Sequence, residues 1–424
     1  MIRRRKRSKK IITSDHGGFA GVQPSATQAT PADIRSSELS SLAQYRSPMR
    51  ALSAELTFKK QPLAKQPDKT KKRLSCKCKK LTEQGVLLHS KDKNACERKR
   101  CAMANKVTHP ILFQGDLKKQ GPYFEGWYFK SVSADEKTVL SLIPGISITE
   151  EDPHCFIQYS YVHVGEALDK ELRTGYIRYP LSAFQYNQTP FVLKVGNSVF
   201  SETLVSVHLE EEDFRIEGIL KLGPFQAVKR TPVSPSIMGF FAYIPNMECY
   251  HGVISMNHAI DGTVAIGTKT RDFTGGKGYL EKDWGTSFPE EYVWIQCNHF
   301  RDEGTSLFFS VAKIPFRGSS FEGFICNFIV EGEEYRFATY NRSKFTLGLL
   351  TDDRIEIEVS HASASLTICA EVLHGGALLA PTEQGMNKLI KEGLSGIVTV
   401  DFSDKKTGKN YHDVGNVAGI EVVR

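Results

Sequence analysis

Two short segments hold the three tryptophans of the chain together with several carboxylates. Trp127 lies in YFEGWYFK (123–130), where strand alternation would place Glu125 on the same face as Trp127 and Phe129. Such a glutamate either faces solvent at a strand entrance or lies in an apolar pocket. In a pocket its pKa would rise, and the protonated carboxyl could act as an acid near neutral pH.

The second segment, GYLEKDWGTSFPEEYVWIQCNHF (278–300), sorts into two faces in the same way. Its strand-like part has one ordinary apolar face and one face that mixes aromatic rings with two amides. The mixed face comprises Tyr292, Trp294, Gln296, Asn298 and Phe300. This composition suits the lining of a cavity that holds an apolar ligand and hydrogen-bonds one polar end of it. The alternative is a half-exposed face whose amides are hydrated.

Further titratable residues lie between and around these segments. Glu248 and His251 are three positions apart in PNMECYHGV (245–253), so in a regular strand they point to opposite faces and form a pair only if a bend intervenes. Glu281, Asp283 and Glu290 follow in the second segment. The histidines show no spacing that requires a metal, and the chain has no phosphate-binding loop, GxSxG motif or dinucleotide fingerprint.

The elements that must position these residues are strands. From Tyr123 onward, short runs rich in Val, Ile, Phe and Tyr alternate with Gly, Pro, Asn and Asp, which is typical of an all-β sandwich or barrel. One late stretch differs, because Thr382 as an N-cap and Gly393 as a C-terminal stop predict a short helix between them.

A weak internal echo predicts two similar β units. Trp127 and Trp294 each lie in an aromatic strand that is followed by an acidic turn, an apolar strand and a proline. We therefore expect a first β unit over residues 106–283 and a second over 284–424.

Residues 1–105 differ in composition from the rest. Residues 1–102 carry 25 Lys and Arg against 8 Asp and Glu, which leaves 30 against 40 for residues 103–424 out of the totals of 55 and 48. The tail is thus at +17 and the body at −10, so a nucleic-acid partner for the body is not indicated. We expect the tail to be disordered, and it is an organellar transit segment, a basic arm or a non-native extension upstream of Met103.

Nine cysteines fall into two groups. Cys76, Cys78, Cys96 and Cys101 lie in the tail without the CxxC spacing of a zinc site, and five more are scattered among apolar strands, which predicts reduced thiols. The chain shows neither a secretory signal pattern nor a membrane-spanning run, so we expect a protein that is not secreted and has no transmembrane helix.

Several motifs, in order, resemble the tocopherol cyclase family in its shorter, microbial-type form. They are YFEGWYFK, PNMECYHGV, GGKGYLEKDWGTSFP, YVWIQCNHF, GMNKLIKEGLSGIVTV and AGIEVV. The resemblance covers roughly residues 107–424. It implies two lipocalin-like antiparallel β barrel or sandwich units, similar to those of carotenoid hydratases, and a cytoplasmic or plastid-like location.

The resemblance also implies a reaction. A phytylated hydroquinone would be protonated on its trisubstituted alkene, and the phenolic oxygen would capture the tertiary cation to close a chromanol ring, without a metal or redox cofactor. Asp283 or Glu125 would donate the proton, with Glu248 and His251 orienting the donor. The substrate would be held by Trp127, Trp284, Trp294, Tyr292, Gln296 and Asn298.

Two alternatives remain open on the sequence. Water could capture the same cation, which would make the protein a hydratase of an isoprenoid or carotenoid. The carboxylates could instead rim the cavity of a non-catalytic lipid-binding protein. In each case the partner is a hydrophobic small molecule, and contact with a membrane surface would fit such a partner.

Overall fold

The runs of β-branched and aromatic residues form strands throughout the body of the chain. The computed structural model describes residues 108–118, 121–165, 170–316, 319–373 and 375–424. The predictions for the basic tail and its four cysteines therefore lie outside the described residues. Within the described ranges the chain forms 22 strands and three one-turn 3-10 helices, at Leu181–Ala183, Gly239–Tyr243 and Thr339–Asn341.

The first twelve strands form one antiparallel sheet with the order β4-β3-β2-β1-β12-β10-β9-β8-β7-β6-β5, in which β11 also pairs with β10. Their bounds are β1 (Tyr123–Val132), β2 (Thr138–Ile148), β3 (His154–Val164), β4 (Lys170–Pro180), β5 (Phe184–Gln188), β6 (Phe191–Val195), β7 (Ser198–Ser201), β8 (Leu204–Glu210), β9 (Arg215–Leu222), β10 (Cys249–Ile266), β11 (Lys269–Asp272) and β12 (Gly276–Gly285).

The remaining ten strands form a second antiparallel sheet with the order β16-β15-β14-β13-β22-β21-β19-β18-β17, in which β20 also pairs with β21. Their bounds are β13 (Tyr292–Cys297), β14 (Ser306–Phe316), β15 (Ser319–Val330), β16 (Glu333–Ala338), β17 (Lys344–Leu350), β18 (Arg354–His361), β19 (Ala364–Glu371), β20 (Gly375–Thr382), β21 (Gly385–Asp404) and β22 (Lys409–Val423). The prediction of an all-β fold of two antiparallel units is confirmed.

The first sheet curls around its own core. Trp127 on β1 packs near Phe184 on β5 and Phe191 on β6, with ring centroids 6.4 and 6.0 Å apart, although these strands stand far apart in the sheet order. The second sheet encloses another apolar core, which includes Val293, Ile295 and Cys297 of β13. This is the ordinary apolar face that alternation predicted for that segment.

A third apolar cluster lies where the two sheets meet. It includes Tyr128 and Tyr279 from the first sheet and Trp294 and Phe308 from the second. Hydrogen bonds also join the sheets, for example from the Lys130 Nζ to the Gln296 Oε1 at 2.9 Å. The outer face of β1 and β12 is therefore buried against β13, and it is this face that positions the site described below.

The predicted helix between Thr382 and Gly393 is wrong, because these residues form the β20–β21 hairpin and the start of β21. Gly385 adopts φ +107° at the turn, and β21 then pairs with both β20 and β22. Its side chains alternate, with Leu389 70% exposed and Ile390 8% exposed. Pairing with strands on both sides, one of which lies about 20 residues further along the chain, outweighs the local capping signal.

The chain passes from the first sheet to the second between Gly285, where β12 ends, and Tyr292, where β13 begins. The sequence placed the boundary between residues 283 and 284. The five cysteines of the described ranges are free thiols. Among the described residues, we find no helix whose length and apolar character would let it cross a membrane.

Candidate active site

A cavity of about 200 Å³ lies between the two sheets. Apolar and aromatic side chains form most of its wall, and a small number of carboxylates and hydroxyl groups project into it. Its lining includes Phe124, Tyr128, Ile143, Met238, Phe241, Met247, Glu248, Cys249, His251, Glu281, Asp283, Phe288, Tyr292, Trp294, Ile314, Phe321, Ile325, Tyr340, Leu378, Met386, Ile390 and Glu421. An apolar cavity with a few convergent polar groups is the usual form of a small-molecule site.

The polar centre of the cavity is a cluster of His251, Glu281 and Asp283. Alternation along β12 puts Glu281 and Asp283 on one face, and the β10–β12 register places His251 directly opposite Asp283. The His251 Nδ1 lies 2.7 Å from the Asp283 Oδ1, and the His251 Nε2 lies 3.4 Å from the Glu281 Oε2. One imidazole therefore bridges two carboxylates.

The environment of Glu281 favours its protonated form. Its side chain is 6% exposed, and burial raises the pKa of its carboxyl to about 7, while His251 lowers that pKa and Asp283 raises it. The hydroxyl of Tyr279 donates to the Glu281 Oε2 at 2.5 Å, and the indole N–H of Trp294 donates to the same oxygen at 3.1 Å. Since both hydrogen bonds end on Oε2, the other oxygen is the one to carry a proton.

The environment of His251 favours the imidazolium. Burial lowers the pKa of the imidazole, but the nearby Asp283 and Glu281 carboxyl groups together raise it by more, so that the resulting pKa is about 9. Its ring stacks on Phe308 with centroids 4.9 Å apart. The Nε2 atom is buried and makes no hydrogen bond within the described residues, so it remains available to the Glu281 carboxylate 3.4 Å away.

The same three side chains are the group in the described ranges that could hold a metal ion, since their ligand atoms all lie within 4.8 Å of one another. Imidazole and carboxylate are common ligands of divalent metals. The 2.7 Å contact between His251 and Asp283 is also the length of a charge-assisted hydrogen bond. His251 and Asp283 therefore satisfy each other as hydrogen-bond partners.

Two more tyrosine–glutamate pairs lie beside this cluster. Tyr292 donates to the Glu421 Oε2 at 2.7 Å, and Tyr128 donates to the Glu392 Oε1 at 2.5 Å. Burial raises the pKa of Glu421 well above its ordinary value and raises that of Glu392 to about 7. Several carboxyl groups in this region thus resist ionisation together.

Aromatic rings flank the acid. Trp294 meets Tyr128 edge to face, with centroids 5.6 Å apart and planes at 74°, while its N–H bonds Glu281. Trp294 is thus in contact with both the acid and a phenol of the opposite sheet. Faces of aromatic rings attract cations, most strongly where water is excluded.

Three of the residues predicted for the site lie on the opposite face of the same two strands. Glu125 and Lys282 form an ion pair at 2.5 Å with both side chains fully buried. The backbone N–H groups of Gln114 and Gly115 also donate to Glu125, and so does the hydroxyl of Tyr123. The carboxyl group of Glu125 is therefore surrounded by an ammonium, two backbone N–H groups and a hydroxyl group.

Trp127 and Trp284 belong to this second site. The Lys282 Nζ lies 4.8 Å from the Trp127 ring centroid and 4.7 Å from that of Trp284. Neither tryptophan lines the cavity, because odd and even positions of a strand point to opposite faces. The structure therefore places Glu125, Trp127 and Trp284, predicted as catalytic and substrate-binding residues, at a buried ion pair with its aromatic surround and outside the cavity lining.

The two predicted amides also have structural partners. Gln296 accepts from Lys130, and Asn298 donates to the Gly278 O at 3.0 Å and to the Asn257 Oδ1 at 3.1 Å. Neither lines the cavity. Asn298 and Phe300 depart from the predicted alternation because β13 ends at Cys297, and Phe300 packs in the core of the second sheet.

The structure brings five of the predicted residues to the cavity: Asp283, Glu248, His251, Tyr292 and Trp294. His251 pairs with Asp283, and Glu248 instead accepts from the hydroxyl of Ser287 at 2.5 Å. The predicted Glu248–His251 partnership is therefore replaced by two separate pairs.

Sequence reasoning named Glu281 without selecting it as a site residue, and it missed Glu392 and Glu421. Glu281 carried a usable signal, because alternation along β12 places Tyr279, Glu281 and Asp283 on one face. Glu392 lay in the segment that was predicted to be helical. Its approach to Tyr128 spans 264 residues, and nothing local marks it.

The comparisons with known proteins point to one family. Residues 213–422 match the family model described as tocopherol cyclase-like. The predicted resemblance to that family is confirmed over this range, which contains His251, Glu281, Asp283, Trp294 and Glu392.

Solved structures with a similar course of the chain are distant in sequence. A Nitrosomonas europaea protein described as AttH is 13% identical, with 70% of this chain and 92% of that chain covered and a TM-score of 0.41. CghA is 8% identical, with 71% of this chain and 88% of that chain covered and a TM-score of 0.47. Kievitone hydratase from Nectria haematococca is 10% identical, with 71% of this chain and 89% of that chain covered and a TM-score of 0.43.

Proposed function

We propose that this chain, which carries a tocopherol cyclase-like region over residues 213–422, is an acid-catalysed cyclase of a prenylated hydroquinone. The observation that carries the proposal is Glu281, a buried carboxyl with a pKa raised to about 7 that faces an apolar cavity. Protonation of an alkene requires a general acid, and such an acid is most effective when its pKa lies near the operating pH.

In the proposed reaction, Glu281 transfers its proton to the trisubstituted alkene of the bound substrate. The carboxylate that forms is stabilised by the hydrogen bonds from Tyr279 and Trp294 and by the imidazolium of His251 at 3.4 Å. Asp283 keeps that imidazolium charged and oriented through the 2.7 Å contact. These donors are in place before the proton moves, which lowers the cost of the transfer.

The tertiary cation then forms beside aromatic rings. Trp294 and Tyr128 flank the acid, and a cation over a desolvated tryptophan face gains roughly 2 kcal/mol. The phenolic oxygen of the same substrate attacks the cation, closes the ring and releases its proton. One proton is taken up and one is released, so the reaction is an isomerisation and consumes no other reactant.

Product analysis in deuterated water tests the proposal. After incubation with a phytylated hydroquinone, a cyclase gives a ring-closed product with one deuterium on the carbon next to the new C–O bond. A hydratase gives a deuterated open-chain tertiary alcohol, and a lipid-binding protein returns the substrate unlabelled. We expect the first result, and either of the other two would contradict the proposal.

Denatured protein and a Glu281→Gln variant serve as the matched controls. They separate catalysis in the cavity from acid catalysis by the buffer. A parallel incubation after treatment with a metal chelator should give the same product at the same rate, because Glu281 supplies the proton and His251 and Asp283 pair with each other.

A further inference from the structure

A second polar side chain of the cavity wall, Tyr128, lies beside Trp294 and near the acid. We propose that Tyr128, held by Glu392, binds the hydroxyl group of the ligand and so fixes the aromatic head of the substrate at this end of the cavity. This inference rests on the proposed function for the identity of the substrate. It adds the residues that bind the phenolic hydroxyl group of the substrate and the direction in which the substrate lies in the cavity.

The hydroxyl oxygen of Tyr128 has one acceptor position that no described residue fills. Its own proton is given to the Glu392 Oε1 at 2.5 Å, and the hydroxyl of Ser141 donates to the Tyr128 oxygen at 3.1 Å. A phenol oxygen has a second lone pair, and Tyr128 lines the cavity. Because the donor capacity of Tyr128 is used by Glu392, a ligand that meets Tyr128 must itself donate.

Glu392 is an unusual residue for a purely structural position. It is 0% exposed, and its Oε2 makes no hydrogen bond within the described residues. A buried carboxyl with one unsatisfied oxygen destabilises the fold, whereas an apolar side chain at the same place would not. Its chain of hydrogen bonds to Tyr128 strengthens the phenol oxygen as an acceptor, since linked hydrogen bonds polarise one another.

The strand registers place this pair next to the acid. Trp294, Glu421 and Glu392 stand directly opposite one another on the neighbouring strands β13, β22 and β21. Tyr128 reaches Glu392 from the other sheet, and Trp294 contacts both Tyr128 and Glu281. Tyr128 and Glu281 thus both border Trp294, so a hydroxyl group on Tyr128 and an alkene near Glu281 would lie close together, which is the relation that ring closure needs.

The same registers point the apolar chain in the other direction. Trp294 pairs with Ser310 of β14, and four residues further along β14, Ile314 pairs with Phe321 of β15. At about 3.3 Å per residue this row lies roughly 13 Å from Trp294. Phe321 stacks on Phe241 there, and both line the cavity. The prenyl chain therefore extends from Trp294 toward Phe241 and Phe321.

A binding measurement tests this assignment without relying on turnover. The two probes are an ortho-alkylphenol with a saturated, branched ten-carbon chain and the matching alkylbenzene, which lacks the hydroxyl group. Neither can cyclise, and quenching of tryptophan fluorescence reports the binding of each. We expect the wild-type protein to prefer the phenol by roughly 10- to 100-fold, the value of a hydrogen bond to a polarised acceptor in a buried site.

Two variants locate the preference. Tyr128→Phe removes the acceptor oxygen and should reduce the preference to roughly threefold or less while leaving the affinity for the alkylbenzene unchanged. Tyr292→Phe removes the corresponding hydroxyl of the neighbouring Tyr292–Glu421 pair and should keep the preference. Loss of the preference in Tyr292→Phe but not in Tyr128→Phe would overturn the assignment, and so would equal binding of the two probes or binding of neither to the wild-type protein.

The outcome is separable from that of the proposed function. If the protein prefers the phenol through Tyr128 but closes no ring, the cyclase proposal is wrong and the recognition site stands. Ring closure without any phenol preference would keep the cyclase and sink the recognition site.

Discussion

The two faces of the β1–β12 strand pair carry almost the same residue types and reach opposite results. On one face Tyr123 donates to Glu125, and on the other Tyr279 donates to Glu281. Each glutamate also has tryptophan nearby. The face of Glu125 is filled and charge-balanced by Lys282 at 2.5 Å, whereas the face of Glu281 opens on a cavity and adds a second carboxylate, Asp283.

The difference lies in what surrounds each carboxyl. Glu125 receives hydrogen bonds from a lysine ammonium and two backbone N–H groups. Glu281 receives one imidazole that it shares with Asp283, and burial keeps its pKa near 7. One carboxyl thus belongs to a buried ion pair and the other is the proton donor of the proposed reaction, although both are buried beside aromatic rings.

Removing the acid should give the largest effect on the reaction. Glu281→Gln keeps the shape and the hydrogen-bond acceptor but removes the proton, so we expect ring closure to slow by roughly 10²- to 10⁴-fold. The free energy of unfolding at neutral pH should change by no more than about 1 kcal/mol, because the neutral amide replaces a carboxyl that is about half protonated at pH 7 and still accepts from Tyr279 and Trp294. Steady-state rates and urea denaturation measure the two quantities.

On the opposite face the effects should be reversed. Lys282→Met leaves Glu125 buried and unpaired, and we expect the free energy of unfolding to fall by about 3–5 kcal/mol. The double variant Glu125→Gln with Lys282→Met removes both charges and should recover most of that loss, as urea denaturation would show. A double variant as unstable as Lys282→Met would contradict this view of the ion pair.

The pH dependence of the rate of ring closure tests whether the protonated form of Glu281 is the active one. Glu281 must be protonated to act, so the rate of ring closure should be constant below about pH 7 and fall tenfold per pH unit above it. Since the imidazolium of His251 lowers the pKa of Glu281, His251→Asn should move this break to higher pH. A break that does not move, or a rate that rises with pH, would exclude Glu281 as the acid.

Stability should follow the same titration. The pKa of Glu281 in the folded protein is raised from 4.5 to about 7, so the protonated group stabilises the fold at low pH, and this contribution is lost as the pH rises from about 4.5 through 7. Glu392 acts in the same direction. Urea denaturation at a series of pH values should therefore give a shallower decline for Glu281→Gln than for the wild-type protein.

The tryptophans should give the smallest effects. Trp294→Phe weakens the interaction with the cation and removes the N–H donor of Glu281, and we expect the rate of ring closure to fall by roughly 3- to 30-fold. Trp284→Phe, on the other face, should change the rate by less than about twofold. A larger effect of Trp284→Phe on the rate would mean that the two faces are not independent.

Strand alternation predicted much of this arrangement and left one choice open. It separated the faces of β13 correctly up to Cys297, and it implies that Glu281 and Asp283 share a face. It cannot say which face of β12 meets a cavity, because that depends on the pairing of β12 with β1, more than 140 residues earlier, and on the docking of the second sheet. The aromatic context of Glu125 looked equally favourable until Lys282 was placed beside it.

The late segment shows why local signals failed there. The threonine and glycine around 382–393 mimic helix caps, but β21 has partners on both sides, and its apolar and polar residues alternate with a period of two. Glu392 acquires its role only through the contact with Tyr128 across the sheet interface. Residues whose meaning depends on such distant pairings are not readable from local pattern alone.

The most direct test compares the two faces in one assay. Ring closure and deuterium incorporation in deuterated water should be measured for the double variant Glu125→Gln with Lys282→Met and for Glu281→Gln, each normalised to folded protein. We expect the double variant to form labelled chromanol within about threefold of the wild-type rate and Glu281→Gln to form it at least roughly 100-fold more slowly. The reverse order would contradict the assignment of the acid to the cavity face.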